Sequence, residues 1–186
     1  MFRIDDAFIE EWHQQYAEND EDEYKWIVAQ VGRETLTTQT PSEETFRRLY
    51  KWKTRNRTRR FLRLTEYQTL YAPAFKRCRA APPEQKLAEL VADRNKLPGI
   101  DTATATTIVH FLHPQEMPIM DVRTVEVLQK FGYISACKVS FQAYEEFRQA
   151  ISLIAKEISG RSYRQIDRAL FTYHKKELSP GRSSCG

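Results

Sequence analysis

Apolar residues recur at intervals of three and four over most of the chain, the spacing that predicts amphipathic helices. The pattern is most regular from residue 140 to 158, where the apolar positions are Phe141, Tyr144, Phe147, Ile151, Ile154 and Ile158. The same spacing predicts helices over residues 5–18, 24–32, 40–52, 65–79, 83–91, 102–113, 121–131 and 162–173. No segment alternates apolar and polar residues in the manner of a half-buried strand, so we predict an all-α fold.

Capping signals in the sequence predict where several of these helices begin. Thr40 is the expected N-cap of the third helix, with Pro41 in the first turn and Glu43 completing a capping box. The residues before it, 36–40, are expected to form a loop. A second capping box is predicted over residues 162–165, where a serine and a glutamine have the required spacing.

The length of 186 residues fits one domain or two closely packed lobes. Hydrophobic residues make up 41% of the chain and charged residues 29%, which is ordinary for a soluble globular protein. The run of about eighteen apolar residues that a membrane-spanning helix needs does not occur. Acids at positions 5 and 6 stand where a secretory signal would be basic. We therefore expect a cytoplasmic or nucleoid-associated protein with a disordered tail at residues 179–186.

The net charge of +4 is distributed unevenly. Residues 1–34 carry ten acids and three bases, so the remainder of the chain carries +11. The basic run, residues 47–63, contains nine bases and no acid, with aromatic residues interleaved among them. A run of this kind is either a solvated helix face or a surface that contacts nucleic-acid phosphates. On the second interpretation, the DNA-binding residues are Arg55, Arg57, Arg59 and Arg60.

The most informative stretch runs from residue 96 to residue 128. It opens with a tight turn over residues 97–101, whose Pro-Gly pair ends one helix and supplies permissive backbone angles. The next helix begins at Thr102, and the unpaired N–H groups of such a helix start can bind a phosphate without any side-chain charge. The stretch then leads to Asp121, a carboxylate at the start of another helix.

This turn, the small-residue helix after it and the segment from Pro118 to Arg123 resemble the helix-hairpin-helix (HhH-GPD) DNA glycosylases, which have a Gly/Pro-rich loop and an essential aspartate. The resemblance covers residues 97–128, about a sixth of the chain. It implies an all-α fold of two lobes, with the hairpin gripping the DNA backbone and Asp121 as the catalytic carboxylate facing a base-binding cleft. The hairpin residues that it assigns to DNA binding are Leu97, Pro98, Gly99, Ile100, Asp101, Thr102 and Ala103.

Two positions depart from the pattern of this family. The lysine that forms a Schiff base in bifunctional members would stand at position 103, which is Ala103. The resemblance therefore implies a monofunctional N-glycosylase without strand cleavage. Asp101 replaces the second hairpin glycine, and its charge would repel a phosphate at that place. In the alternative interpretation, Asp101 is the N-cap of the helix over residues 102–113.

The cysteines exclude one cofactor that some members of this family carry. Cys78, Cys137 and Cys185 are odd in number and far apart, which favours free thiols in a reducing compartment. A local four-cysteine iron–sulfur loop cannot be built from them. We therefore expect no cofactor.

Asp121 has two compatible interpretations. As an N-cap it would stabilise its helix by about 1 kcal/mol. As a carboxylate facing a cleft it would stabilise positive charge on the sugar while the base departs. Arg123, in the turn that follows, either pairs with Asp121 or reaches DNA.

Two other pairs on helices have ordinary explanations. His110 and His113 have the spacing of a metal pair, but no third ligand is nearby in the sequence. We expect one surface histidine and one packed histidine, and no metal. Arg164 and Asp167 are expected to form an ordinary ion pair along the last helix.

These observations favour a monomeric protein that binds double-stranded DNA and, if catalytic, removes a damaged or mispaired base in base-excision repair. The first alternative is a non-catalytic helix-hairpin-helix DNA-binding protein, which the residues at positions 101 and 103 favour. The second is a helical protein-interaction module whose basic face meets an acidic partner. In that case the acidic N-terminal segment of the chain would compete with the partner.

Overall fold

The computed structural model describes residues 3–17, 20–55, 63–136, 138–158 and 160–179. Within these ranges the chain forms helices joined by turns, without a β-strand, which confirms the all-α prediction. In chain order the α-helices are α1 (Asp6–Gln14), α2 (Glu21–Thr38), α3 (Glu43–Thr54), α4 (Ala72–Ala80), α5 (Pro83–Lys86), α6 (Ala88–Val91), α7 (Thr102–Leu112), α8 (Val122–Lys130), α9 (Tyr144–Glu157) and α10 (Tyr163–Tyr173). Short 3₁₀ or π turns cover Leu64–Glu66, Tyr67–Tyr71, Asp93–Asn95 and His174–Leu178.

The chain divides into two compact units. Unit 1 combines Met1–Ala17 with Pro118–Gly186 and contains α1, α8, α9 and α10. Unit 2 is Glu18–Met117 and contains α2 to α7. The predicted hairpin therefore belongs to unit 2, whereas Asp121 belongs to unit 1. None of the described helices has both the length and the apolar character needed to cross a membrane.

Unit 2 is built around α7, in which every residue from 104 to 112 is buried. This helix packs against α2, α3 and α6. The apolar residues of this helix are buried, and so are the polar residues between them. The hydroxyls of Thr106 and Thr107 both donate to the Ala103 carbonyl oxygen at 3.0 Å. Because these polar groups are satisfied within the helix, α7 can be enclosed on all sides.

The predicted loop at residues 36–40 is wrong in its first part, because α2 continues to Thr38. The hydroxyl of Thr35 donates to the Val31 carbonyl at 2.7 Å, and that of Thr38 donates to the Glu34 carbonyl at 2.9 Å. α2 also begins earlier than predicted, with three acids in its first turn. Acids at a helix N-terminus are stabilised by the helix dipole, so this acidic segment forms the first turn of α2.

The third helix begins later than predicted, because a contact from α2 fixes its start. Ser42, and not Thr40, is the N-cap of α3, and its hydroxyl accepts from the Thr45 N–H at 3.2 Å. Glu34 of α2 accepts hydrogen bonds from the Ser42 N–H at 2.6 Å and from the Thr45 hydroxyl at 2.9 Å. A tertiary hydrogen bond has therefore outweighed the local capping signal.

The helix predicted over residues 65–79 is divided. A 3₁₀ turn over Leu64–Glu66 and a π turn over Tyr67–Tyr71 precede α4. Pro73 lies in the first turn of α4, where its missing N–H has no intrahelical acceptor to lose. The irregular turns therefore absorb the change of register before the proline.

Unit 1 is organised by α10, which packs against α1, α8 and α9. The predicted capping box at its start is confirmed, because the Ser162 N–H donates to the Gln165 side chain at 2.9 Å and the Gln165 N–H donates to the Ser162 hydroxyl at 3.3 Å. The helix predicted from residue 140 begins only at Tyr144, because Ser140 accepts the Ala143 N–H and forms a turn. Phe141 is consequently exposed and not part of the apolar face.

One cysteine can be compared with the prediction of free thiols. Cys78 is a free, buried cysteine on α4, and burial raises the pKa of its thiol to about 12. It is therefore an inert, protonated core residue at neutral pH. The other two cysteines and residues 180–186 of the predicted tail lie outside the described residues.

Candidate nucleic-acid interface and candidate active site

The hairpin is a four-residue turn from Leu97 to Ile100. The Ile100 N–H donates to the Leu97 carbonyl at 3.2 Å, and Gly99 has a φ of 75°. Proline in the second position and a left-handed glycine in the third are the requirements of a type II turn. The side chains of Leu97 and Ile100 are buried, whereas Pro98 and Gly99 are less so. The turn is thus anchored at both ends by apolar side chains.

Two tyrosine hydroxyls hold the carbonyl groups at the tip of this turn. Tyr71 donates to the Pro98 carbonyl oxygen at 2.8 Å, and Tyr50 of α3 donates to the Gly99 carbonyl oxygen at 3.2 Å. The peptide between Pro98 and Gly99 is trans, so its N–H points away from its carbonyl. The Gly99 N–H therefore points away from the Tyr71 hydroxyl, as a donor to a bound phosphate would have to.

The helix that follows is capped by Asp101, as one of the two interpretations predicted. Its backbone is extended, and its carboxylate accepts from the Thr104 N–H at 2.8 Å. The N–H groups of Thr102 and Ala103 precede any acceptor within the helix. The half-buried Asp101 carboxylate thus occupies one of the backbone donors at the helix start and places negative charge beside the others.

Two described residues of the basic run are connected to the turn by hydrogen bonds, Tyr50 directly and Arg63 through Tyr71. Tyr50, near its beginning, contacts the Gly99 carbonyl as described above. At its end, the Arg63 N–H donates to the Tyr71 hydroxyl at 3.1 Å, and that hydroxyl donates to the Pro98 carbonyl. Three of the predicted DNA-binding residues, Arg57, Arg59 and Arg60, lie outside the described residues.

Carboxylates stand beside the described arginines of this run, so part of its charge is compensated. Arg48 binds both carboxylate oxygens of Glu23, at 2.8 and 2.6 Å, and its guanidinium lies 3.5 Å from the Trp26 ring centroid. Arg55, a predicted DNA contact, ends α3 in a left-handed conformation and lies 3.6 Å from Asp20. The other pairs are Arg47 with Glu43 at 2.6 Å and Arg63 with Glu66 at 3.8 Å.

In unit 1, Asp121 is the N-cap of α8. Its backbone is extended, and Oδ1 accepts from the Arg123 N–H at 3.1 Å. The Thr124 hydroxyl in turn accepts from the Asp121 N–H at 3.1 Å, which completes a reciprocal capping box. The Asp121 side chain is nevertheless 28% exposed, so the cap does not enclose the carboxylate.

Arg123 lies between Asp121 and the aromatic ring of Phe171. Its Nη1 is 3.8 Å from the Asp121 Oδ1, and its guanidinium carbon is 4.8 Å from the Phe171 ring centroid. The predicted pairing of Arg123 with Asp121 is therefore present as a close charge contact. The ring of Tyr16 meets Phe171 edge-on with centroids 5.8 Å apart.

The same tyrosine ring is contacted by two arginines of α10. The guanidinium carbons of Arg164 and Arg168 lie 5.3 and 4.8 Å from the centroid of Tyr16. The predicted ion pair between Arg164 and Asp167 is confirmed at 2.8 Å, with Arg164 buried and Asp167 partly buried.

His110 of α7 is buried and His113, which follows the helix, is partly buried, so the expectation of one exposed histidine is wrong. His110 is buried, with Nε2 2.8 Å from the Tyr24 hydroxyl and Nδ1 2.7 Å from the Met117 carbonyl. A carbonyl can only accept, so Nδ1 carries the proton and Nε2 accepts from the tyrosine. His113 lies 3.2 Å from the Lys86 amine, and burial together with that lysine lowers its pKa to about 4. Among the residues described here, no group of three or more metal-ligating side chains converges.

The side chains that complete these sites come from distant parts of the chain, and sequence reasoning did not identify them. Tyr50, Tyr71 and Phe171 each belong to a regular apolar pattern, where a tyrosine or phenylalanine is expected simply to pack. No protein-family model, curated protein or solved structure matches this chain.

Proposed function

We propose that this chain is a DNA-binding protein with the two-lobed fold of the helix-hairpin-helix glycosylases, acting as a monofunctional N-glycosylase. The observation that carries the proposal is the hydrogen bonding around the turn. Tyr50 and Tyr71 bind its carbonyl oxygens, and Tyr71 also accepts from the Arg63 backbone. A phosphate donor built from backbone N–H groups is thereby combined with the basic run in one unit.

Sequence-independent contact with the DNA backbone is the chemistry that this combination fits. The Gly99 N–H and the start of α7 supply fixed dipoles, and the arginines supply the long-range attraction that brings DNA to them. Glu23 and Asp20 compensate the charge of Arg48 and Arg55. The larger share of the attraction is therefore assigned to the arginines between residues 55 and 63.

In the proposed reaction, the bond between the sugar and the base breaks, and water supplies hydroxide to the sugar and a proton to the departing base. Asp121 stabilises the positive charge that develops on the sugar. The Asp121 side chain is 28% exposed, which supports a role in contact with substrate. Ala103 cannot act as an amine nucleophile, so no covalent Schiff base is part of this reaction.

A non-catalytic DNA-binding protein on the same scaffold is the second candidate. The reciprocal capping box around Asp121 favours it, because the carboxylate has a structural role there without any chemistry. The two candidates share the DNA-binding surface and differ in whether base is released.

The experiment that tests DNA binding measures the affinity for a duplex as a function of salt concentration. Replacing Arg57, Arg59 and Arg60 together by Gln removes three candidate phosphate contacts. We expect weaker binding to all sequences and a log–log salt slope shallower by up to about 2.7, since each phosphate contact contributes roughly 0.9 to that slope.

The matched control changes the net charge equally at arginines that are already paired. Arg77 lies 2.9 Å from Glu89, Arg148 lies 2.6 Å from Glu145, and Arg161 lies 2.8 Å from Asp6. Replacing these three by Gln should leave the slope nearly unchanged. If the first variant keeps the wild-type slope, the basic run is a solvated face and the proposal fails.

A further inference from the structure

Arg123 differs from the other arginines that contact aromatic rings in unit 1 and unit 2. Its distance of 3.8 Å to the Asp121 carboxylate is longer than a hydrogen bond. The described residues offer its guanidinium no hydrogen-bond acceptor at closer range, and the side chain is 40% exposed. Arg48, by contrast, binds Glu23 through two hydrogen bonds while it covers Trp26.

The Arg123 guanidinium lies over the ring of Phe171, with its central carbon 4.8 Å from the ring centroid. A guanidinium that lies over an aromatic face keeps its N–H groups directed outward in its own plane, where they match the oxygens of a phosphate. Phe171 is in turn held by Tyr16, whose ring contacts Arg164 and Arg168. The donors of Arg123 are thus oriented before any ligand arrives, and the lost entropy of ordering a long side chain is reduced.

The neighbouring residue supplies an apolar surface at the same place. Val122 is 55% exposed although it is a large hydrophobic residue in the first turn of α8. The first turn of α8 therefore has an exposed apolar residue, Val122, between the Asp121 carboxylate and Arg123 in the sequence. The backbone start of α8 is not the anion site, because the Asp121 carboxylate already accepts from it.

We propose that Arg123, oriented by Phe171, binds the phosphate attached to an extrahelical nucleotide whose sugar faces Asp121. This inference rests on the proposed function and adds to it a phosphate subsite at Arg123. The guanidinium binds the phosphate, Val122 contacts the sugar edge, and the Asp121 carboxylate faces the carbon that loses the base. Because the guanidinium lies between the phosphate and the carboxylate, their mutual repulsion is reduced.

The test compares the affinity for a duplex containing one tetrahydrofuran abasic analogue with the affinity for the intact duplex of the same sequence. Wild type is expected to prefer the analogue, since a nucleotide without a base leaves the helix at little cost. Arg123→Gln should reduce that preference about tenfold or more, the loss typical of a hydrogen bond to a charged group. Arg123→Lys keeps the charge but not the planar donors, so its preference for the analogue should lie between those of wild type and Arg123→Gln.

Two further variants separate orientation from charge. Phe171→Leu should reduce the preference severalfold while Arg123 remains present. Lys130→Gln is the matched control, because Lys130 lies on the same helix with its amine 5.7 Å from the Tyr173 ring. It should leave the preference unchanged. Thermal melting identifies any variant that fails to fold, and Arg123→Lys then carries the test.

The outcomes distinguish this inference from the function on which it rests. If wild type binds neither duplex, DNA binding fails and this inference fails with it. If wild type binds both duplexes equally, or if Arg123→Gln retains the full preference, DNA binding stands and the nucleotide subsite is overturned.

Discussion

Asp101 and Asp121 have the same local structure in two different units. Each is extended, precedes a helix and accepts a backbone N–H of the first turn, from Thr104 at 2.8 Å and from Arg123 at 3.1 Å. Their surroundings differ. Asp101 follows a turn whose carbonyl oxygens are held by tyrosines, whereas a guanidinium stands 3.8 Å from Asp121.

The comparison distinguishes the local role that both aspartates share, which is to cap a helix, from the effect of the charged and polar groups around each of them. At Asp101 the negative charge lies beside the N–H groups proposed to bind phosphate, so the carboxylate stabilises the helix and opposes the ligand. At Asp121 the guanidinium of Arg123 offsets the charge toward a phosphate while the carboxylate stays accessible. An aspartate-to-asparagine change at each position keeps the cap and removes the charge, which makes the pair a direct test.

The largest expected effect is on base release by Asp121→Asn. Asparagine is about as good an N-cap, but it offers no negative charge to a developing sugar cation. We expect the single-turnover rate of base release to fall by about a hundredfold or more. The measurement uses a panel of damaged or mispaired duplexes at saturating protein.

Asp101→Asn is the matched control for this rate, because it removes the same charge from the other cap. It should leave the single-turnover rate at saturation near that of wild type. If both variants match wild type, or if wild type releases no base from the panel, Asp121 is a cap alone and the non-catalytic candidate is the better account.

A smaller effect, of opposite sign, is expected for DNA affinity. Asp101→Asn removes a negative charge close to the proposed phosphate site, so binding of an intact duplex should tighten by roughly threefold at low salt, as expected for one like-charge contact in a high dielectric. The gain should shrink as salt screens the interaction. Asp121→Asn provides the comparison and should change this affinity less. Weaker binding by Asp101→Asn would place the phosphate elsewhere.

The two caps also show which parts of the fold can be predicted from sequence. Asp101, Asp121 and the box at residues 162–165 cap helices as their local spacing indicates, because N-capping involves residues within one turn. Thr40 has the same local signal and fails. Glu34, on the preceding helix, binds Ser42 and moves the helix start. Local capping is thus predictable until a side chain from another element competes for the same backbone groups.

The candidate sites were predictable in their backbone and not in their supporting side chains. The turn, the helix start and Asp121 follow from adjacent residues. The Tyr50 and Tyr71 hydroxyls reach the turn from 49 and 27 residues away in sequence. Their periodicity predicts burial but not the partner of a hydroxyl. The compensation of Arg48 and Arg55 was not predictable either, because the acids that pair with them lie at the start of α2 and at the residue before it.

The smallest expected effects are on stability, and they sharpen the comparison of the two caps. Asp101→Ala and Asp121→Ala should each lower the free energy of unfolding by about 1 kcal/mol, the usual cost of losing an N-cap side chain. The loss of unfolding free energy in Asp101→Ala should be at least as large as that in Asp121→Ala. In Asp121→Ala the Thr124 hydroxyl still accepts the backbone N–H of residue 121, so half of the capping box remains.

The Asn variants should lose less unfolding free energy than the Ala variants, because they keep the oxygen that caps the helix. Their loss should be roughly 0.3–1 kcal/mol, the attraction between the charge and the helix dipole. Urea unfolding followed by circular dichroism, together with thermal melting, measures all four variants. At both positions the Ala variant should have a lower free energy of unfolding than the Asn variant. If Asp121→Asn is instead as destabilised as Asp121→Ala, the charge beside Arg123 contributes to the fold itself. A rate loss in that variant would then not be evidence for chemistry.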